Sequence, residues 1–147
     1  MNKNHYCVIM AGGIGSRFWP LSRTERPKQF VDILGVGKTF IQMTFERFSS
    51  FIPTENFVVV TGEVYKDLVL EQLPELSEQQ VLLEPARRNT APCLAYAAYK
   101  LKKQNPEAVM VVTPADHLIT DTITFADVMQ QSLRHAEEHN HLLTIGI

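Results

Sequence analysis

Residues 6–28 read YCVIMAGGIGSRFWPLSRTERPK. The first six, Tyr6 to Ala11, form an unbroken apolar run, and glycines follow at positions 12, 13 and 15. A strand that is apolar at successive residues, rather than alternate ones, is buried on both faces, as in a parallel sheet covered by helices on each side. Glycines at its carboxyl end let the backbone turn sharply, and successive amides in such a turn form an anion-binding concavity. Arg17 adds a two-pronged cation and Lys28 a mobile one. The same glycines also suit a plain tight turn with solvated cations, and their spacing alone does not separate the two readings.

Four further apolar runs follow: Phe57 to Thr61, Gln80 to Leu83, Val109 to Thr113 and Leu142 to Ile145. Helical patterns lie between them. Thr39 to Phe51 puts Phe40, Ile41, Thr44, Phe45 and Phe48 on one face, with Thr39 and Gln42 spaced as a capping box. Tyr65 to Leu73 is a weaker helix. Ala91 to Lys103 is rich in Ala and Leu, with Thr90 as its expected N-cap. Phe125 to Glu138 carries one apolar stripe. Strands alternating with helices predict the α/β class: a Rossmann-like three-layer α/β/α sandwich with a mainly parallel sheet. The fifth run reads as a core strand at residues 142–147, so 1–147 is expected to be one domain that is incomplete at its C-terminal side.

The 147 residues suffice for one domain, and 45% hydrophobic with 20% charged residues is a soluble globular composition. No apolar run approaches the ~20 residues of a membrane span. A net charge of −2 argues against a nucleic-acid binder. Cys7 and Cys93 have no C-x-x-C spacing, and no signal sequence opens the chain. A cytoplasmic setting without membrane or nucleic-acid partners is the expectation; a homo-oligomer remains open.

Two other segments carry chemistry. Glu84-Pro85-Ala86-Arg87-Arg88-Asn89-Thr90-Ala91-Pro92 follows the third strand and opens a helix. It reads as a capped helix start, and its amide groups are also of the kind that hydrogen-bond a purine edge. Thr113-Pro114-Ala115-Asp116-His117 follows the fourth strand. A carboxylate there is a turn residue or a hard-oxygen ligand for Mg2+. All three segments lie after a strand and before a helix, which in a parallel sheet gathers them at the carboxyl edge, where ligands bind.

Several patterns fail. Phe18 stands where the dinucleotide fingerprint needs a third glycine, and Asp32 where a Walker A loop needs its first, so Gly37-Lys38-Thr39 reads as a turn and helix cap. His135-Ala136-Glu137-Glu138-His139 has a zinc-protease spacing, but reads instead as the histidine-rich end of an amphipathic helix. No residue set makes a Ser-His-Asp triad.

Taken whole, G-G-x-G-[S/T]-R-x-x-P-L-[S/T] followed by P-K resembles the signature of the sugar-1-phosphate nucleotidylyltransferases, matched by Gly12, Gly13, Gly15, Ser16, Arg17, Pro20, Leu21, Ser22, Pro27 and Lys28. Glu84 to Pro92 resembles the base-binding segment of the GDP-mannose pyrophosphorylases, and P-A-D-H resembles the family's metal motif. The resemblance implies a nucleotidyltransferase, GT-A-like fold. It implies transfer of a guanylyl group from GTP to mannose 1-phosphate, giving GDP-mannose and pyrophosphate. Ala11, Gly12, Gly13, Gly15, Ser16, Glu84, Pro85, Asn89 and Thr90 would bind the nucleotide. Arg17 and Lys28 would be catalytic, and Asp116 would hold Mg2+. The alternatives are another hexose-1-phosphate nucleotidylyltransferase, or a catalytically silent regulatory or assembly subunit.

Overall fold

The computed structural model describes residues 1–86 and 89–146. In chain order its regular elements are β1 (His5–Met10), α1 (Phe40–Ser49), β2 (Phe57–Gly62), α2 (Lys66–Gln72), β3 (Val81–Glu84), α3 (Thr90–Gln104), β4 (Val109–Pro114) and α4 (Thr122–Glu138). The strands form one sheet in the order β3-β2-β1-β4, and every pairing is parallel. Register is tight at the centre, where Val8 lies opposite both Val58 and Val112.

The unbroken apolar runs are explained by the two faces. Cys7 and Ile9 of β1, Phe57 and Val59 of β2 and Val81 of β3 pack into one core with Ile41, Phe45 and Phe48 of α1, Val69 of α2 and Met129 and Leu133 of α4. The alternate residues Val8, Val58 and Val60 pack into a second core with Cys93, Ala97 and Leu101 of α3. Successive side chains of a strand point to opposite faces, so each strand needs an apolar residue at every position. The result is the expected three-layer α/β/α sandwich.

Helix ends follow local chemistry. Gln42 reaches back to accept from the Thr39 N–H at 2.9 Å, and α1 starts at the next residue. Asp32 accepts from the Val36 and Gly37 N–H groups, making the turn expected before that cap. Three helix starts differ from expectation, α2 by beginning at Lys66 with Tyr65 as its N-cap. Asn89 occupies the N-cap of α3, and Thr90 is its first helical residue rather than the cap. Helix α4 begins at Thr122, because Asp121 accepts from both the N–H (3.0 Å) and the hydroxyl (2.7 Å) of Thr124; a side chain that caps this well starts the helix ahead of the apolar stripe.

The fifth apolar run is also a correction. Residues 141–146 form no strand. Ile145 packs against the first core, but Leu142 and Leu143 are exposed. Apolar content reports burial, whereas a strand additionally needs a ladder partner, and β4 makes its ladder with β1 alone among the described residues. Arg87, Arg88 and Ile147 lie outside the described residues.

Candidate active site

The sheet ladder extends one residue past β1: the Ala11 N–H donates to Val60 O at 2.8 Å and the Ala115 N–H to Met10 O at 3.1 Å. Gly12 therefore begins the loop where the ladder ends. Its shape is fixed by donors from elsewhere. The buried Gln29 carboxamide donates to both Ala11 O and Gly13 O, each at 2.9 Å. The Thr61 hydroxyl also donates to Ala11 O, at 3.1 Å. With these carbonyls engaged from inside the fold, the loop is held in one arrangement. Gly15 sits at φ 64°, and a Cβ there would collide with Ser22 Oγ and crowd the Lys28 backbone nitrogen; only glycine meets both demands. A single 3-10 turn, Ser16–Phe18, follows and leaves Arg17 exposed. Arg17 has no hydrogen bond or ion pair among the described residues.

Lys28 opens a second short turn, Lys28–Phe30, directly after Pro27. Its ammonium forms an ion pair with Asp116 Oδ2 and lies 5.1 Å from the centroid of the Phe18 ring. Both partners are about a quarter exposed, at 26% and 22%, so solvent still reaches the pair. Asp116 is held from behind. Thr44 Oγ1 donates to Ala115 O at 3.3 Å, and the Arg47 guanidinium donates to His117 O at 2.9 Å. Arg47 is itself buried, with its guanidinium 5.5 Å from the Phe125 ring centroid, and burial lowers its pKa.

From the β3 side comes Glu84. A Cβ on Gly12 would stand 3.2 Å from Glu84 Oε2, so the carboxylate borders the glycine loop. Burial raises the Glu84 carboxyl above its ordinary value. The Cys93 thiol is pushed up to about 11, first by burial and then by the Glu84 charge. Asn89 has φ 65° and ψ −164°, a region essentially reserved for glycine and costing about 1–3 kcal/mol for other residues. Pro85 and Asn89 are exposed. Thr90 lines a cavity of about 540 Å³ together with Met10, Arg47, Pro114 and His117.

The structure thus brings the glycine loop, Lys28, Glu84 and Asp116 to the carboxyl edge of the sheet, and Thr90 onto a cavity shared with the residues flanking Asp116. Arg17 and Ser16 stand at the exposed rim. Gln29 and Arg47 escaped the sequence reading. A glutamine beside P-K and an arginine on an apolar helix stripe look like surface residues until the tertiary contacts are known. Among the described residues no three His, Cys, Asp or Glu side chains converge as a metal cage. Mg2+ takes only one or two protein carboxylates, the rest of its shell coming from phosphate oxygens and water, and Asp116 offers one carboxylate at this edge.

The sequence pattern of the Nucleotidyl transferase family matches residues 6–147. Mannose-1-phosphate guanylyltransferase of Salmonella montevideo is 43% identical over 142 residues, covering 95% of this chain and 29% of that protein. The Escherichia coli K12 mannose-1-phosphate guanylyltransferase is 42% identical over 146 residues, covering 97% of this chain and 30% of that protein. The chain therefore spans about three-tenths of the length of these relatives. A crystal structure described as mannose-1-phosphate geranyltransferase from Thermus thermophilus superposes with a TM-score of 0.80 at 31% identity, covering 92% of this chain and 39% of that one. A glycine loop held at the strand edge, a lysine–aspartate pair across it and this match from Tyr6 onward agree: the chain belongs to the nucleotidyl transferase family and is homologous to the mannose-1-phosphate guanylyltransferases.

Proposed function

We propose that this chain is the nucleotide-handling part of an enzyme that transfers a guanylyl group from GTP to mannose 1-phosphate. The observation that carries the reading is the Lys28–Asp116 ion pair across the glycine loop. It sets a mobile cation beside a carboxylate, with Lys28 packed against Gly15 of the loop, which supports a reading in which the loop takes the phosphate chain. The printed activities of the relatives supply the base and the sugar.

In the proposed reaction a phosphate oxygen of mannose 1-phosphate attacks the α-phosphorus of GTP in line. A new P–O bond forms, the bond to the β-phosphate oxygen breaks, and its electron pair leaves with pyrophosphate. The protein's part is positioning and charge neutralisation. The amides of Gly12, Gly13 and Gly15 cradle phosphate oxygens. Lys28 exchanges Asp116 for the phosphate under attack, and Arg17, exposed at the rim, steadies the departing pyrophosphate. Asp116, released by that exchange, is the residue proposed to hold Mg2+, which when bound neutralises phosphate charge. Glu84, which borders the loop at Gly12, and Pro85, Asn89 and Thr90 beyond it are the residues proposed to meet the base.

Two measurements test this. Trp19 is the sole tryptophan, 76% exposed and adjacent to the glycine loop, so its fluorescence should respond to GTP with Mg2+. In the protein at its full natural length, pyrophosphate release with mannose 1-phosphate should be faster from GTP than from UTP or dTTP. Equal or faster use of dTTP would overturn the guanylyl assignment.

A further inference from the structure

Three imidazoles stack at the carboxyl end of α4, far along the chain from the residues above. The His135 and His139 rings lie 4.2 Å apart and within 14° of parallel, and His141 stands 5.3 Å from His135 and 5.6 Å from His139. All three residues are exposed. The decisive contact is between His135 Nε2 and His141 Nδ1, which approach to 3.0 Å. In the neutral pair one nitrogen carries the hydrogen and the other offers its lone pair.

We propose that His135 and His141 form a two-nitrogen surface site for a divalent transition-metal ion that favours square-planar or tetragonal coordination, Cu2+ or Ni2+. Imidazole nitrogens bind first-row metals at roughly 2.0–2.1 Å, so two nitrogens 3.0 Å apart subtend about 94° at the metal. That is the angle of adjacent positions in a square plane; a tetrahedral ion would need them roughly 3.3 Å apart at the same bond length. Binding requires that the shared hydrogen move to the far nitrogen of its own ring and that the two exposed rings turn their lone pairs off the N–N line toward the metal, so both imidazoles bind neutral.

The surroundings support a cation. His135 lies in the last turn of α4, where the helix dipole presents its negative end. His139 is occupied differently: its Nδ1 donates to His135 O at 3.1 Å, which fixes its ring against the His135 ring. Its ring, stacked on that of His135, holds the His135 imidazole in place. Imidazole lone pairs lie in the ring plane, so the near-parallel, face-to-face rings of the i, i+4 pair His135 and His139 do not aim them at one metal ion. Glu137 of the same turn is engaged with Asn2 and His5. The site is open, with water completing the coordination, since no third ligand converges on it among the described residues.

The test is a titration of the 147-residue chain with Cu2+, followed by electron paramagnetic resonance, and in parallel with Ni2+ by calorimetry. One equivalent of Cu2+ should bind with two equatorial imidazole nitrogens. His135→Ala and His141→Ala should each leave one nitrogen and weaken binding about tenfold or more. His139→Ala should keep two, and circular dichroism should show all three variants folded. A Cu2+ spectrum unchanged in both ligand variants, as when the Met1 amine holds the ion, would overturn the proposal. So would a site that is lost with His139 but survives without His141.

Discussion

Between β1 and α1, the carbonyls of Ala11 and Gly13 are gripped by Gln29 and Thr61 from inside the fold. Between β3 and α3, Pro85, Ala86 and Asn89 are exposed, and Asn89 holds a backbone conformation meant for glycine without a side-chain cap bond. The first loop is fixed before any ligand arrives. The second stores strain, and strain of this kind persists where a site has to be held in an unusual shape. On the proposed function the difference divides the work: phosphates meet a cradle gripped from inside the fold, while the base meets a turn held in a strained shape at Asn89. Rigid preorganisation lowers the cost of ordering on binding, and it counts most where charge develops in the reaction.

The largest expected effect bears on the charges of the first loop. In the full-length protein, Arg17→Ala or Lys28→Ala should lower turnover about a hundredfold, corresponding to roughly 3 kcal/mol in the barrier. Stability should change little for Arg17→Ala, because Arg17 is exposed and unpartnered among the described residues. Steady-state rates beside urea midpoints separate the two effects; normal turnover would remove that residue from the mechanism.

Next comes the grip itself. Gln29→Ala leaves Gly13 O without its buried donor and weakens the hold on Ala11 O, so the chain should lose about 1–3 kcal/mol of stability. The Trp19 response to GTP should weaken with it. A variant of unchanged stability and unchanged response would mean that the loop does not depend on Gln29 for its shape.

The second loop should answer with the opposite sign. Asn89→Gly relieves a conformation that glycine adopts freely, and should raise stability by about 1 kcal/mol. Chemical denaturation reads it directly. If Asn89→Gly destabilised the chain as much as Gln29→Ala, the contrast between a gripped loop and a strained one would fail.

The smallest effect is a pH dependence. Burial raises the Glu84 pKa in the folded state, so the native protein holds that proton more tightly than the unfolded chain does. Its effect is absent below the unfolded Glu value of about 4.3. Stability is then lost as pH rises through the folded value. Glu84→Gln removes this loss, so the variant should gain on the parent between about pH 4 and pH 7, measured as urea midpoints at both. A gain that grew toward acid would reverse the sign of the argument.

The sheet was legible because β1 to β4 pack apolar residues against a core on each face and therefore read as unbroken apolar runs. The fifth run had the same composition, but pairing is a property of neighbours, and residues 141–146 make no ladder. Helix starts were missed by one residue at Asn89 and by three at Thr122, since a strained backbone and a capping Asp121 decide them rather than apolar periodicity. In the candidate site, Gly12, Lys28, Glu84 and Asp116 could be placed at one edge because each follows a strand or its loop. Gln29 and Arg47 could not be assigned. What each does depends on a carbonyl, 16–18 residues away for Gln29 and 70 for Arg47, that comes into reach only in the folded chain.

The strand order carries a consequence for how the chain is made. During synthesis β1 emerges first, yet it ends in the interior of the sheet, between β2 and β4. Its partner on one side is complete at Gly62, but its other edge stays unpaired until Pro114 has been added. Through that interval a nascent three-stranded intermediate would present a bare hydrogen-bonding edge on a strand that is apolar from Tyr6 to Met10. Such edges recruit other chains. The sequence that makes β1 a good centre thus also makes the half-finished chain its own hazard, relieved only when β4 docks.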